Sequence, residues 1–194
     1  MQFQVQNLKV QKFGGASVKD ADAVTNVESI LQNCLFSPAV VVVSAMGKTT
    51  NKLEQVFSTL VSDGFNKASE ELNDIVLAHQ KVIDDLSISL DLSELFVTAL
   101  KKSSQLDDLD AAYDELVASG EDASTKILSA FLSSKNWDVE WRDVRGIIET
   151  DTRHNSARVN ESRLEEMGRS LRLALSESSR KIIVTQGFIG KSTS

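Results

Sequence analysis

Residues 38–53 read PAVVVVSAMGKTTNKL, and this stretch decides the fold. Pro38 introduces Ala39–Ser44, a continuous run built on four valines, and small residues close it. A strand with one wetted face alternates apolar and polar residues. A run that does not alternate belongs to a strand covered on both faces, as in parallel sheets flanked by helices. Upstream, Leu8–Phe13 predicts another short buried strand, followed directly by Gly14-Gly15. Ser17 or Asp20 then caps a helix to about Gln32, with Val24, Val27, Ile30 and Leu31 on one face. The order strand, loop, helix, strand is the start of an α/β sheet.

Downstream the pattern turns helical. Thr49 or Thr50 is placed to cap a helix through about Val61, and Asn66–Leu86 carries Leu72, Ile75, Val76, His79, Val82 and Ile83 at helical spacing. Leu92–Leu100 and Leu106–Ala118 predict further helix, and another begins after Gly120 and runs to about Ser134. This block, about 50–135, is far longer than a crossover helix and is expected to form a helical subdomain inserted into the sheet topology. Strand signals resume at Asp138–Trp141 and Ile147–Thr150. Glu161–Leu175 is amphipathic, with Leu164, Met167, Leu171 and Leu175 on one side, and Lys181–Thr185 is a second β-branched run. The fold class expected is α/β, a three-layer α/β/α sandwich with a mainly parallel sheet.

The composition excludes several functions. With 21 Lys and Arg against 28 Asp and Glu, the net charge of −7 disfavours non-specific binding to nucleic acid or to an anionic membrane. The longest apolar run is far below the ~20 residues that a membrane helix needs. The single cysteine, Cys34, forms neither an intrachain disulfide nor a cysteine-based zinc pair, which fits a reducing, cytoplasmic setting. Met1–Val10 lacks the charge and apolar block of a signal peptide. His79 and His154 fall in unrelated elements and make no metal site.

In open α/β sheets, ligands sit beyond the carboxyl ends of the strands. Those ends are expected at Gly14-Gly15, Ser44–Lys48, Arg142–Arg145 and Gln186–Gly190. Lys12-Phe13-Gly14-Gly15 combines a lysine with a glycine pair, whose backbone can approach an anion and turn consecutive N–H groups toward it. The plain alternative is a tight turn beside an exposed lysine. Gly47-Lys48-Thr49 invites a P-loop reading, but the glycine required five residues earlier is Val42, inside the predicted strand.

Five segments together resemble aspartate kinases of the amino-acid kinase fold. They are KFGGAS (12–17), VVVVSAMGKTTNKL (40–53), LVASGEDAST (116–125), WDVEWRDVRGIIETDTRH (137–154) and IIVTQGFIG (182–190). The resemblance implies transfer of the ATP γ-phosphoryl group to the side-chain carboxylate of L-aspartate, with Mg²⁺, as the first step toward lysine, threonine and methionine. It implies Lys12 as the catalytic lysine and Gly14 and Gly15 as phosphate-facing glycines. It also implies Ser44 and Thr50 as walls of the aspartate pocket, Glu121 as partner of the substrate ammonium, and Arg153 as clamp on its α-carboxylate. It implies a homo-oligomer for the full-length protein.

Ala16 departs from the threonine usual at that position. No TTLGRGGSD-type segment, carrying the family's catalytic aspartate, follows GFIG. The resemblance therefore covers the N-terminal, aspartate-binding portion of a kinase domain, expected to be inactive by itself. Another carboxylate kinase of the same fold, or a non-catalytic binding domain derived from it, are the alternatives.

Overall fold

The computed structural model describes residues 8–34, 39–154, 156–176 and 181–193. In chain order they form β1 (Lys9–Phe13), α1 (Ala21–Cys34), β2 (Ala39–Val43), α2 (Thr49–Asp63), α3 (Phe65–Asp85) and α4 (Ser93–Ser103). There follow α5 (Leu109–Ser134), β3 (Val139–Trp141), β4 (Glu149–Thr150), α6 (Glu161–Leu175), β5 (Ile182–Gln186) and β6 (Lys191–Ser192). Single 3-10 turns lie at Gly15–Val18 and Val144–Gly146.

The main sheet has the order β1-β2-β5-β3 and is parallel throughout. β2 is central, with Val41 opposite Gln11 on one side and Val184 on the other. Side chains alternate across a strand, so each strand feeds both faces. Val41, Val43, Ile182 and Val184 pack with Val24, Val27 and Leu31 of α1 and with Ile127, Leu128 and Phe131 of α5. Val40 and Ile183 face the other way and meet Leu175 of α6. Helices on both faces of a parallel sheet make the three-layer α/β/α arrangement, and the valine run is buried because it needs two apolar partners. The helices α2 to α5, between β2 and β3, share the first of these cores.

Several expectations need correction. β1 is not a buried strand: Lys9, Val10 and Lys12 are exposed and only Phe13 is buried. It is an edge strand, with β2 as its one neighbour among the described residues. Ile30 lies on the wetted side of α1, whereas Asp20 does cap that helix, accepting the Ala23 N–H at 2.9 Å. Neither Thr49 nor Thr50 is the cap of α2. That position falls on Lys48, and Thr49 is buried in the first turn with its hydroxyl donating to the Met46 carbonyl at 2.6 Å.

Gly120 does not interrupt the helix; α5 runs through it without a break. A Cβ there would stand 3.1 Å from Ala45 Cβ and 3.2 Å from both Leu53 Cδ1 and Thr49 Cγ2, so the glycine marks a close approach to the loop after β2. α6 docks through its C-terminal end: Leu175 is buried and Leu164 is exposed. The strand predicted at Ile147–Thr150 shortens to β4, which pairs with β6 in a separate two-stranded ribbon. Among the described residues, no helix is long and apolar enough to cross a membrane.

Candidate active site

The carboxyl ends of β1, β2 and β5 lie in register at Phe13, Val43 and Gln186. The loops that leave them are tied together by backbone hydrogen bonds. Ser44 N–H donates to the Phe13 carbonyl at 3.1 Å and Gly187 N–H to the Val43 carbonyl at 3.0 Å. Gly47 N–H donates to the Gly15 carbonyl at 2.9 Å.

The two glycines after β1 differ. A Cβ on Gly15 would fall 2.5 Å from the Ala45 oxygen and 2.9 Å from the Gly47 oxygen, both backbone atoms. Gly15 is therefore required for the β1 and β2 loops to touch. A Cβ on Gly14 would meet nothing within 4 Å, so that residue borders open space. Lys12 is exposed, and its ammonium lies 4.5 Å from the centroid of the Phe188 ring. Phe188 is itself 84% exposed and holds φ at +64°, a left-handed conformation that a bulky residue rarely adopts.

Glu121 reaches this end of the sheet from α5. It is 5% exposed, and its carboxylate accepts the Ala45 N–H at 3.3 Å. Burial pushes its carboxyl up to about 7, with the neighbouring Asp122 charge adding to the rise. The Ala45 N–H and the Arg145 guanidinium act the other way. One turn along α5, Ser124 Oγ donates to the Ser44 carbonyl at 2.8 Å. Thr50 is half-buried in the first turn of α2, next to this loop. Gly15 and Glu121 thus both meet the 44–50 segment, which carries Ser44 and Thr50, while Gly14 borders open space and Lys12 is exposed.

Arg153 does not join them. Its guanidinium is paired with Asp151 at 2.9 Å, and the side chain is largely exposed. The same loop is pinned to α5 by His154 Nδ1, 2.7 Å from Asp114 Oδ2. Asp114 precedes Glu121 by two helical turns, about 10 Å along the axis.

Sequence reasoning missed a polar network beside Glu121. Asp122 takes two hydrogen bonds from the Arg145 guanidinium, at 3.0 and 3.1 Å, and one from the Gln186 amide at 2.6 Å. Gln186 Oε1 accepts the Val144 N–H at 2.8 Å. A glutamine closing a buried β-branched run was the available signal, since a buried amide needs partners. Among the described residues, no three His, Cys, Asp or Glu side chains gather as a metal-ligand group. What the site offers is a buried carboxylate, an exposed lysine on a strand end, and a glycine that borders open space.

The amino acid kinase family model matches residues 7–194. The chain is 28% identical to the aspartokinase of Chlamydia pneumoniae, over 93% of this chain and 39% of that protein. It is 31% identical to the chloroplastic aspartokinase 2 of Arabidopsis thaliana, over 94% of this chain and 35% of that protein. Among solved structures, Escherichia coli aspartokinase III in complex with aspartate and ADP superposes with a TM-score of 0.80. The identity is 27%, covering 96% of this chain and 42% of that one. The chain thus spans between 35% and 42% of the length of these relatives.

Proposed function

We infer the function from one premise: the chain belongs to the amino acid kinase family. On it we propose that the full-length protein, though not this chain by itself, transfers the γ-phosphoryl group of ATP to the side-chain carboxylate of L-aspartate. The observation that carries this reading is Glu121, a carboxylate buried to 5% exposure at the carboxyl end of the sheet and held there by the Ala45 N–H. A carboxylate so placed is half-protonated near neutral pH, and an ammonium beside it restores the charge. That preference distinguishes an amino acid from a plain diacid.

In the reaction, a carboxylate oxygen of aspartate attacks Pγ, the bond from Pγ to the β,γ-bridging oxygen breaks, and ADP leaves. Both reactants are anions, so positive charge must be supplied where they meet. Lys12 fills that role, swinging its ammonium from the Phe188 ring to the transferring phosphoryl group. Gly14 admits the phosphates to the backbone and Gly15 keeps the loop beneath them in place. Ser44 and Thr50 line the aspartate pocket, and Arg153 leaves Asp151 to take the α-carboxylate in a two-pronged grip. ATP enters as its Mg²⁺ complex, the cation offsetting phosphate charge. The reading extends to lysine and threonine biosynthesis in the cytoplasm and to self-association of the full-length protein.

The test uses the intact protein, with aspartyl phosphate trapped by hydroxylamine. Lys12→Ala is expected to lower kcat by about 10²–10³-fold, the scale of removing one charge-stabilising donor. Retention of kcat within twofold would remove Lys12 from the mechanism. Equal turnover of L-glutamate would reassign the protein to another carboxylate kinase.

A further inference from the structure

We propose that the Asp122–Arg145–Gln186 network is a positioning element that holds Glu121 in place and ionised for an ammonium ligand. The proposal rests on the reading of Glu121 given above. Asp122 joins three elements: α5, which carries it; the end of β5, through Gln186; and the turn after β3, through Arg145. Gln186 extends the tie to the Val144 N–H of that turn, and Asp143 accepts from Arg145 at 3.2 Å. On its other side α5 is fastened to the β2 loop by Ser124 and by Glu121 itself. Successive helical side chains diverge by about 100°. Fixing Asp122 toward β5 and β3 therefore fixes the direction in which Glu121 leaves the helix.

The same network sets the local charge. An unpaired Asp122 beside Glu121 would make a second buried anion unfavourable; Arg145 cancels it. Besides burial, the groups that act on Glu121 are the Ala45 N–H from the β2 loop, its own backbone N–H, Asp122 of α5 and Arg145 after β3. Removing the Arg145 charge pushes Glu121 toward its neutral form. Removing the Asp122 charge pushes it the opposite way, although both changes loosen the same tie.

That opposition is the test. In the intact protein, kcat/KM for L-aspartate is measured against pH at saturating MgATP. Arg145→Gln should move the acid limb up by about one pH unit and raise KM at pH 7 about fivefold, with kcat little changed. Arg145→Lys should recover most of this. Asp122→Asn should move the limb down. Limbs that stay put, or that move the same way in both variants, would reduce the network to a structural bracket and overturn the proposal. Thermal unfolding identifies a variant that fails to fold; if Arg145→Gln does, the downward shift of Asp122→Asn decides the matter. Glu121→Gln separates this proposal from the reading beneath it. If that substitution leaves the limb and the aspartate KM unchanged, Glu121 is not the ammonium partner. If it abolishes the limb while the network variants change nothing, only the positioning role fails.

Discussion

At the scale of single residues, the glycine pair after β1 divides its work. Ordinary alanine substitution at an exposed loop glycine changes stability little. At Gly15 the added carbon would collide with two backbone oxygens that cannot rotate away, the Ala45 oxygen at 2.5 Å among them. Gly15→Ala is therefore expected to cost about 1–3 kcal/mol, by forcing the β1 and β2 loops apart. Gly14→Ala should leave stability within about 0.5 kcal/mol, because its carbon meets nothing. It should still raise the KM for ATP, where phosphates would share that space. Thermal unfolding and steady-state kinetics of the intact protein check both, and equal destabilisation by the two would contradict the assignment. The sequence offered Lys12-Phe13-Gly14-Gly15 either as an anion-binding turn or as a plain tight turn beside a lysine. Which glycine serves which purpose was hidden, because the atoms crowding Gly15 belong to residues some thirty positions downstream.

At the scale of elements, legibility followed burial. β2 is apolar throughout and β5 is buried throughout, and both were readable from their β-branched runs, as was α3 from its inward face. β1 and α6 misled for one shared reason. Each carries apolar residues at the spacing of its element, but among the described residues β1 is a sheet edge and α6 meets the core at one end only. Periodicity records what a segment could bury, not what lies opposite. Gly120 shows the limit most clearly. Local propensity argues for a break there, yet α5 passes through, and the crowding of Ala45, Leu53 and Thr49 shows why the position is glycine. Two effects then compete in Gly120→Ala. Helix propensity gains about 1 kcal/mol. Against it stand contacts of 3.1–3.2 Å, one to the Cβ of Ala45 and one to Thr49, whose hydroxyl is already bonded to Met46. Overpacking should win, giving a net loss of about 1–2 kcal/mol and a raised KM for aspartate through displacement of the 44–49 loop. A more stable variant with unchanged KM would show that the loop yields freely.

At the scale of the whole molecule, two buried groups place opposite slopes on stability against pH. His79 is 3% exposed and packs against Phe96 with ring centroids 4.9 Å apart. Its Nδ1 lies 2.8 Å from the Ile75 carbonyl, which makes Nδ1 the donor and leaves Nε2 buried with no hydrogen-bond partner among the described residues. Burial lowers its affinity for a proton, and Lys52 on α2 adds to the effect. The unfolded chain therefore binds a proton that the folded one refuses. The contribution of His79 is intact above about 6.5 and is lost as pH falls below it. Glu121 runs the other way. Its folded carboxyl titrates at about 7 rather than 4.5, so the folded state keeps a proton that the unfolded chain releases. Its contribution is present below 4.5 and is lost as pH rises to 7, a change of at most about 3 kcal/mol. Between these limits the two terms offset each other, and the wild-type profile alone would conceal both. Differences from wild type in the thermal midpoint of the intact protein separate them. Relative to wild type, Glu121→Gln should become steadily more stable from pH 4.5 to 7, and His79→Leu should become more stable as pH drops below 6.5. L-Aspartate adds a third handle. If its ammonium meets Glu121, the midpoint gain it produces must grow as pH rises through 7 in the wild type and lose that dependence in Glu121→Gln, since binding to the ionised carboxylate no longer has to displace a proton.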